Sequence, residues 1–289
     1  MLLQSVARIL ERHGFDWCAC RGCFDIAARK RELMLFKVLD NVDSFQEEQA
    51  CNLATLSDSL GAAVSLIGTH TRYERLRDSI IYERFSVPTF TPATLDAILD
   101  RRAPATYRDR GGLFEEIDPV ALRKARTAAG ISQQHLADAV GVTKKSIYEH
   151  ESRRMRARSD VVARIEKLLG KKITVPFAHP VLKSDSLEPS SPFEKTIINR
   201  LRMIGFETEF VGQSPFNIVA EERVLIVSDA EQSPRTIERK AAQLEQFSDV
   251  SRKPLVVISE TEPRTNLPAI TAAELKNLDA HDLRKLAKK

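Results

Sequence analysis

Within six residues the chain sets Lys144, Lys145, Ser146 and Glu149, and shortly afterwards Arg153, Arg154 and Arg156. Two ammonium groups, a hydroxyl and a carboxylate make a donor and acceptor set that can read base edges in the DNA major groove. Lysine donates to guanine O6 and N7, and a carboxylate accepts from the cytosine amino group. The guanidiniums suit the phosphates, which fix register without reporting sequence. Charge is distributed to match. Asp118 to Lys172 holds 13 Lys/Arg against 6 Asp/Glu, a net +7, while the rest of the chain holds 31 against 34. The basic surplus therefore lies where phosphate would be met.

The elements that must position these residues are well punctuated. Asp118 can cap a first helix, with Pro119 at the position that needs no amide donor, and Leu122, Ala125 and Ala129 follow at helical spacing up to Gly130. Ser132 caps a second helix, whose stripe of Leu136, Ala137 and Val140 closes at Gly141, where a missing Cβ permits a sharp turn. Thr143 caps a third, with Ile147 as its inward anchor, which leaves Lys144, Lys145, Ser146 and Glu149 outward near its N-terminal end. A fourth apolar helix, Val161, Val162, Ile165, Leu168 and Leu169, ends at Gly170. The pattern predicts an all-α helix-turn-helix domain over 113–173.

The run Ile131-Ser-Gln-Gln-His-Leu-Ala-Asp-Ala-Val-Gly-Val-Thr-Lys-Lys-Ser-Ile-Tyr-Glu-His-Glu151 resembles the phage-repressor (Cro/XRE) helix-turn-helix, over about 55 of 289 residues. The resemblance implies double-stranded DNA as partner. It places Gln133 on a phosphate, Thr143 at the cap of the reading helix, and Lys144, Lys145, Ser146 and Glu149 over base edges, with Arg153, Arg154 and Arg156 on phosphates. Glu151 matches a buried or capping acid. The chain departs from the family's Gly-rich turn after the reading helix, having Ser152-Arg-Arg-Met-Arg156 instead. One such motif covers few base pairs, so specificity implies a homodimer on half-sites ~34 Å apart.

Three of the four cysteines crowd into Cys18-Ala-Cys-Arg-Gly-Cys23, with Cys51 further on. Close thiolates can share a zinc ion or respond to redox state, but no second Cys-x-x-Cys pair follows, and the expectation is reduced structural thiols with no metal or cofactor. His135 and His150 are read as polar helix-face positions, and the basic tail Leu283 to Lys289 as a frayed terminus.

Breaker-rich stretches at 101–112 and 174–192 read as linkers. They leave an N-terminal domain, 1–100, and a C-terminal domain, 193–289, whose sequences repeat. Both open with an amphipathic helix ending in Gly-Phe, at Gly14-Phe15 and Gly205-Phe206. Phe24-Asp25-Ile26 then matches Phe216-Asn217-Ile218, and apolar strands follow at Leu33 to Leu39 and Val224 to Val227. A polar helix, another strand and a final strand and helix complete each copy. The predicted fold is α/β plus all-α, a central helix-turn-helix between two related αβββαβ domains.

That order is similar to the core of restriction endonucleases and Holliday-junction resolvases. The resemblance implies an Asp opening one strand and an acid-x-Lys on the next, holding Mg²⁺ and orienting a water. Asp25 fits the first element. On the next strand Lys37 falls where the acid is needed, with Leu39 at the lysine; the shifted register puts Leu35 at the acid and Lys37 at the lysine. In the C-terminal copy Asn217 replaces the aspartate and Val227 or Leu225 the acid. Glu11 or Glu47 could lend a carboxylate, though nothing requires it. The favoured reading is that Asp25 pins a turn and Lys37 is a strand-edge or surface lysine, so both domains are degenerate and the protein is not an enzyme.

No apolar run approaches the ~20 residues of a membrane span, and Arg8, Glu11 and Arg12 interrupt the apolar N-terminus. A cytoplasmic location without membrane contact is expected. The whole arrangement resembles archaeal regulators that carry a phage-repressor-type helix-turn-helix between other domains. This implies a transcription regulator whose flanking domains dimerise or sense an effector of unspecified chemistry. A structure-selective Mg-dependent nuclease docked by the helix-turn-helix, or a metal- or redox-responsive regulator, are the alternatives.

Overall fold

The computed structural model describes residues 1–183, 187–189, 191–220, 224–229, 234–260 and 266–287, with 224–229 and 234–240 described by backbone alone. In chain order the elements are α1 (Leu2–Arg12), β1 (Asp16–Ala19), β2 (Ile26–Arg29), β3 (Leu33–Val38), α2 (Glu47–Leu60), β4 (Ala63–Ile67), β5 (Tyr82–Arg84), β6 (Val87–Phe90), α3 (Pro92–Leu99), β7 (Thr106–Asp109) and β8 (Gly112–Ile117). The reading segment follows as α4 (Pro119–Ala128), α5 (Gln133–Val140), α6 (Lys144–Ser152), β9 (Met155–Arg158) and α7 (Ser159–Leu169). Last come α8 (Pro192–Met203), β10 (Thr208–Phe210), β11 (Ile218–Ala220), β12 (Val224–Asp229), α9 (Pro234–Ser251), β13 (Leu255–Ser259), β14 (Ala269–Thr271), α10 (Ala272–Leu275) and α11 (Ala280–Ala287). These form two compact units, one of Met1–Tyr73, Arg84–Val87 and His179–Lys289, the other of Glu74–Glu83 and Pro88–Ala178.

In the first unit both ends of the chain build the same pairing. β1, β2 and β3 are antiparallel neighbours and β4 joins β3 in parallel. β10, β11 and β12 repeat the antiparallel run, and β13 joins β12 in parallel. The registers also correspond. Ala27 faces Leu35, which faces Val64, and Val219 faces Leu225, which faces Leu255. The parallel step needs a crossover, supplied by α2 and α9, and it buries the central strand on both faces, which is why Leu33 to Phe36 is continuously apolar.

The two halves, expected as separate domains, pack on each other within this unit. α9 lies on β1 and β2, and Arg29 donates to the Ser251 carbonyl at 2.6 Å. Phe24 and Phe216, the matching phenylalanines, both contact Phe247 of α9, with ring centroids 5.5 and 5.1 Å away. The loops before β2 and β11 also meet, as the Cys23 amide donates to the Gln213 carbonyl. Gly22, at φ +144°, lies so close to Gln213 that a Cβ would overlap that carbonyl. In return Gly212 sits against Asn52 of α2, where a Cβ would stand 3.2 Å from Oδ1. α11 docks through Leu283 and Ala287 into the C-terminal core, so the expected frayed tail is helical as far as Ala287, while Lys288 and Lys289 lie outside the described residues.

The second unit corrects the expected all-α domain. It contains a three-stranded antiparallel sheet, β7-β8-β9. The stretch 101–112, expected as a linker, supplies β7 and the first residue of β8, and Arg156 and Arg158 of the arginine run after α6 fall in β9. Ile117 and Ala157 lie on one face of this sheet and are buried with Leu122, Leu136, Ala137, Val140, Ile147, Val162, Ile165 and Ile173. Burying that face offsets the weak strand propensity of an Arg-rich segment. The second expected linker is likewise tied down. Thr174 bridges Ile117, the Phe177 amide donates to Pro104, and the Leu182 amide donates to Ser57 Oγ; residues 184–186 and 190 lie outside the described residues.

Candidate nucleic-acid interface

Helices α4, α5 and α6 each begin on the cap expected for them. Asp118 accepts from the Val120 and Ala121 amides at 2.9 and 3.1 Å, Ser132 from His135, and Thr143 from Ser146 at 3.1 Å. Gly141 takes the left-handed conformation, φ +72°, and reverses the chain between α5 and α6. Leu136, Ala137, Val140 and Ile147 lock these helices together from the inside.

On the outer side of α6, Lys144 and Lys145 are exposed, and neither ammonium has a hydrogen-bond or ion-pair partner among the described residues. They occupy the first turn, where no macrodipole advantage holds a cation. Ser146 and Glu149 are half-buried, and the Ser146 hydroxyl lies 2.9 Å from Thr143 Oγ1. Tyr148, which the sequence reading passed over, shows 59% of its surface on the same helix. His150 is not a helix-face residue as expected. It is buried, its Nδ1 has no hydrogen-bond partner among the described residues, and burial lowers its pKa below the ordinary imidazole value.

Helix α6 is tied to α4 and α5 through Glu151, which is 3% exposed. Arg126 grips its carboxylate at 2.5 and 3.1 Å, Gln133 donates to it at 2.7 Å, and Arg123 donates to its carbonyl at 2.9 Å. Burial acts to raise this carboxyl's pKa, but the hydrogen bonds from Arg126 and Gln133 and the charges of Arg126 and Arg123 outweigh it and hold it low. Gln133 is thus anchored at the start of α5 through one of its two amide protons.

The arginines after α6 separate. Arg153 is exposed, and Arg154 is largely exposed with Glu116 3.8 Å away. Arg156, expected on phosphate, is instead held by Glu83 at 2.8 and 3.3 Å and lies 3.7 Å over the Tyr107 ring. The β9 strand turns it onto β7, an outcome that depended on a sheet the sequence did not announce.

The first unit holds the nuclease-like residues. Lys37 is 8% exposed on a central strand, not at an edge or surface as expected. Its ammonium donates to Asp25 Oδ1 at 3.0 Å and to the Gly22 carbonyl at 2.9 Å, while Asp25 Oδ2 accepts from the Val38 amide at 2.8 Å. Both carboxylate oxygens are engaged, and the acid position two residues before Lys37 is Leu35, fully buried. In the other half Asn217 donates to Glu194 at 2.8 Å, and the register puts Leu225 where Leu35 stands. These residues do not fit a divalent cation.

Cys18, Cys20 and Cys23 are buried and Cys51 is exposed. The Cys18 and Cys20 sulfurs lie 3.9 Å apart, but Cys23 does not join them to make a three-ligand metal group among the described residues. The contact with Cys20 lowers the Cys18 thiol pKa, and burial raises Cys23 to about 12.

Capped helices around a left-handed glycine, with a buried acid fastening the outward helix, define a helix-turn-helix DNA-binding unit of Cro/XRE type. Residues 122–175 match the family model described as helix-turn-helix, and residues 1–104 match the PD-(D/E)XK superfamily domain. Three archaeal relatives carry the name "Putative HTH-type transcriptional regulatory protein". The one from Methanocaldococcus jannaschii is 31% identical over 96% of this chain and 93% of its own, and that from Pyrococcus furiosus 33% over 82% and 80%. The relative from Methanothermobacter thermautotrophicus is 30% identical over 96% and 92%. The chain belongs to this family of archaeal helix-turn-helix proteins. Among its described residues no helix is long and apolar enough to cross a membrane.

Proposed function

We propose that this protein is a sequence-specific transcriptional regulator of double-stranded DNA, acting in the cytoplasm. The observation that carries this reading is the first turn of α6, where Lys144 and Lys145 stand exposed, without a partner among the described residues, on a helix fixed by the Glu151 network. In the major groove those ammoniums donate to guanine acceptors, and Glu149 accepts from a cytosine amino group. Ser146 and the Thr143 cap lie alongside. Gln133, Arg153 and Arg154 fix register on phosphates, and Arg156 braces the fold. A homodimer supplies the second half-site, and an effector acts through the α/β unit.

Selection of bound duplexes from a genomic pool tests the reading. An enriched two-fold site is expected, with affinity for it lost in Lys144→Ala/Lys145→Ala. Enrichment of no sequence, or a double variant that binds the best site like wild type, overturns it.

The C-terminal half is, in this reading, a second degenerate copy of the PD-(D/E)XK-like fold, supported by its matching register, and neither half cuts DNA. Leu35 is fully buried where a metal-binding carboxylate is required, and the backbone register gives leucine, Leu225, at the matching position of the other half. Incubation of supercoiled and branched DNA with Mg²⁺ or Mn²⁺ is expected to leave both intact. Cleavage abolished by Asp25→Ala overturns that part.

A further inference from the structure

A cleft of about 1050 Å³ lies between α4 and the end of α6, walled by Arg123, Lys124, Arg153 and Arg154, with Val120 at its rim. Its two acids do not face outward as free charges. Asp118 is spent on the amides at the start of α4, and Glu151 is turned inward to Arg126 and Gln133. What faces solvent is therefore cationic: the Arg123 and Arg154 side chains are 60% and 66% exposed, and Lys124 and Arg153 are exposed too. The cleft begins at Ser152 and Arg153, where the reading helix ends.

We propose that this cleft seats the phosphodiester backbone flanking the bases read by α6, with Arg123 and Lys124 of the first helix as phosphate contacts. The inference rests on the DNA-reading assignment and extends its footprint. A strand leaving the major groove at the end of α6 meets four cations, two on α4 and two in the turn after α6, with no free carboxylate among the described lining residues to repel it. The concave wall favours an extended polyanion over a flat protein surface, and the rim Val120, 74% exposed, offers apolar contact to sugars. Such contacts add affinity evenly across sequences, because phosphates carry no base identity. They also replace the loss of Arg156 from the phosphate set.

The test uses the full chain, the best duplex from the selection and an unrelated 30-base-pair duplex, each titrated from low to high salt. For Arg123→Gln/Lys124→Gln, affinity is expected to fall by the same factor on both duplexes, and the slope of log K against log salt to lessen by about 1.8, roughly 0.9 per phosphate lost. Lys124→Gln alone, which breaks no hydrogen bond among the described residues, is expected to lessen it by about 0.9. Shortening the flank of the duplex should bring wild type to the variant's level. If wild type binds but both variants keep its affinity and slope, the cleft is not a backbone seat and the DNA-reading assignment stands. Loss confined to one sequence, or to binding of pyrophosphate or ATP with DNA binding intact, also overturns it. Failure of wild type to bind any duplex sinks the reading helix itself.

Discussion

Glu151→Ala is expected to be the most damaging single substitution in the helix-turn-helix. The carboxylate is 3% exposed and accepts three side-chain hydrogen bonds, two from Arg126 and one from Gln133. Removing one partner of a buried ion pair leaves the other charge uncompensated and costs about 3–5 kcal/mol. Arg126, whose side chain is 15% exposed, would keep only the Ile131 carbonyl at 2.6 Å. For a unit of this size, about 4–8 °C per kcal/mol, the melting point of the helix-turn-helix should fall by roughly 12–40 °C. Calorimetry reads the fall, and hydrogen exchange assigns it to α4, α5 and α6. An apolar pair, Arg126→Met/Glu151→Leu, should recover most of the loss, because the cost is the orphaned charge more than the lost contact. Glu151's depressed pKa gives the sign with pH: its contribution is complete above the ordinary carboxyl range and fades as pH falls through the lower folded value. If Glu151→Ala melts within a few degrees of wild type, the network is ornament and the orientation of α6 is fixed by Ile147 and its neighbours alone.

Two histidines, buried His150 and half-buried His179, whose Nε2 lies 3.0 Å from Ser65 Oγ, give the opposite titrating group with the same sign. Burial lowers His150 and pushes His179 to about 4, so each loses stability as pH falls below the unfolded value near 6.5; for His179 that is about 3 kcal/mol by pH 4. Urea midpoints between pH 7 and 4 should fall less in His179→Gln than in wild type, and an equal fall in both refutes the account. Gly22→Ala should loosen the junction of the two halves, since its Cβ overlaps the Gln213 carbonyl; limited proteolysis near 211–216 should accelerate, and unchanged digestion would count against that packing. Asp25→Ala should cost about 3 kcal/mol or more by leaving the buried Lys37 ammonium with only the Gly22 carbonyl. Denaturation reads that loss, and a neutral result would mean the aspartate holds nothing.

The helix-turn-helix was legible because its signals are local. Asp118, Ser132, Thr143, Gly141 and Gly170 all act within four residues of themselves, and each stands where its spacing put it. The β7-β8-β9 sheet was not legible. β8 and β9 lie about 40 residues apart in the chain, and in Met155-Arg-Ala-Arg158 only Met155 and Ala157 are apolar, too short an alternation to announce a strand. For the same reason Arg156 looked like a phosphate ligand until Glu83 and Tyr107 were placed beside it. Types were readable at Asp25 and Lys37, but not the burial that turns Lys37 into an internal brace. The cleft cations Arg123 and Lys124 went unnoticed because, along the chain, they look like any solvated helix face.

Where the Cys20 to Phe24 loop touches the Gln213 to Phe216 loop, a loop meets its counterpart loop, much as happens near a rotation axis between subunits. Here the two partners are ends of one chain, and the DNA-reading segment lies between them in sequence. Their association is unimolecular, set by the tether and not by how much protein the cell holds. Each half is then free to change without its mirror image changing too. One keeps Asp25 with Lys37, the other Asn217 with Glu194, a divergence that a symmetric pair of identical chains has no means to encode.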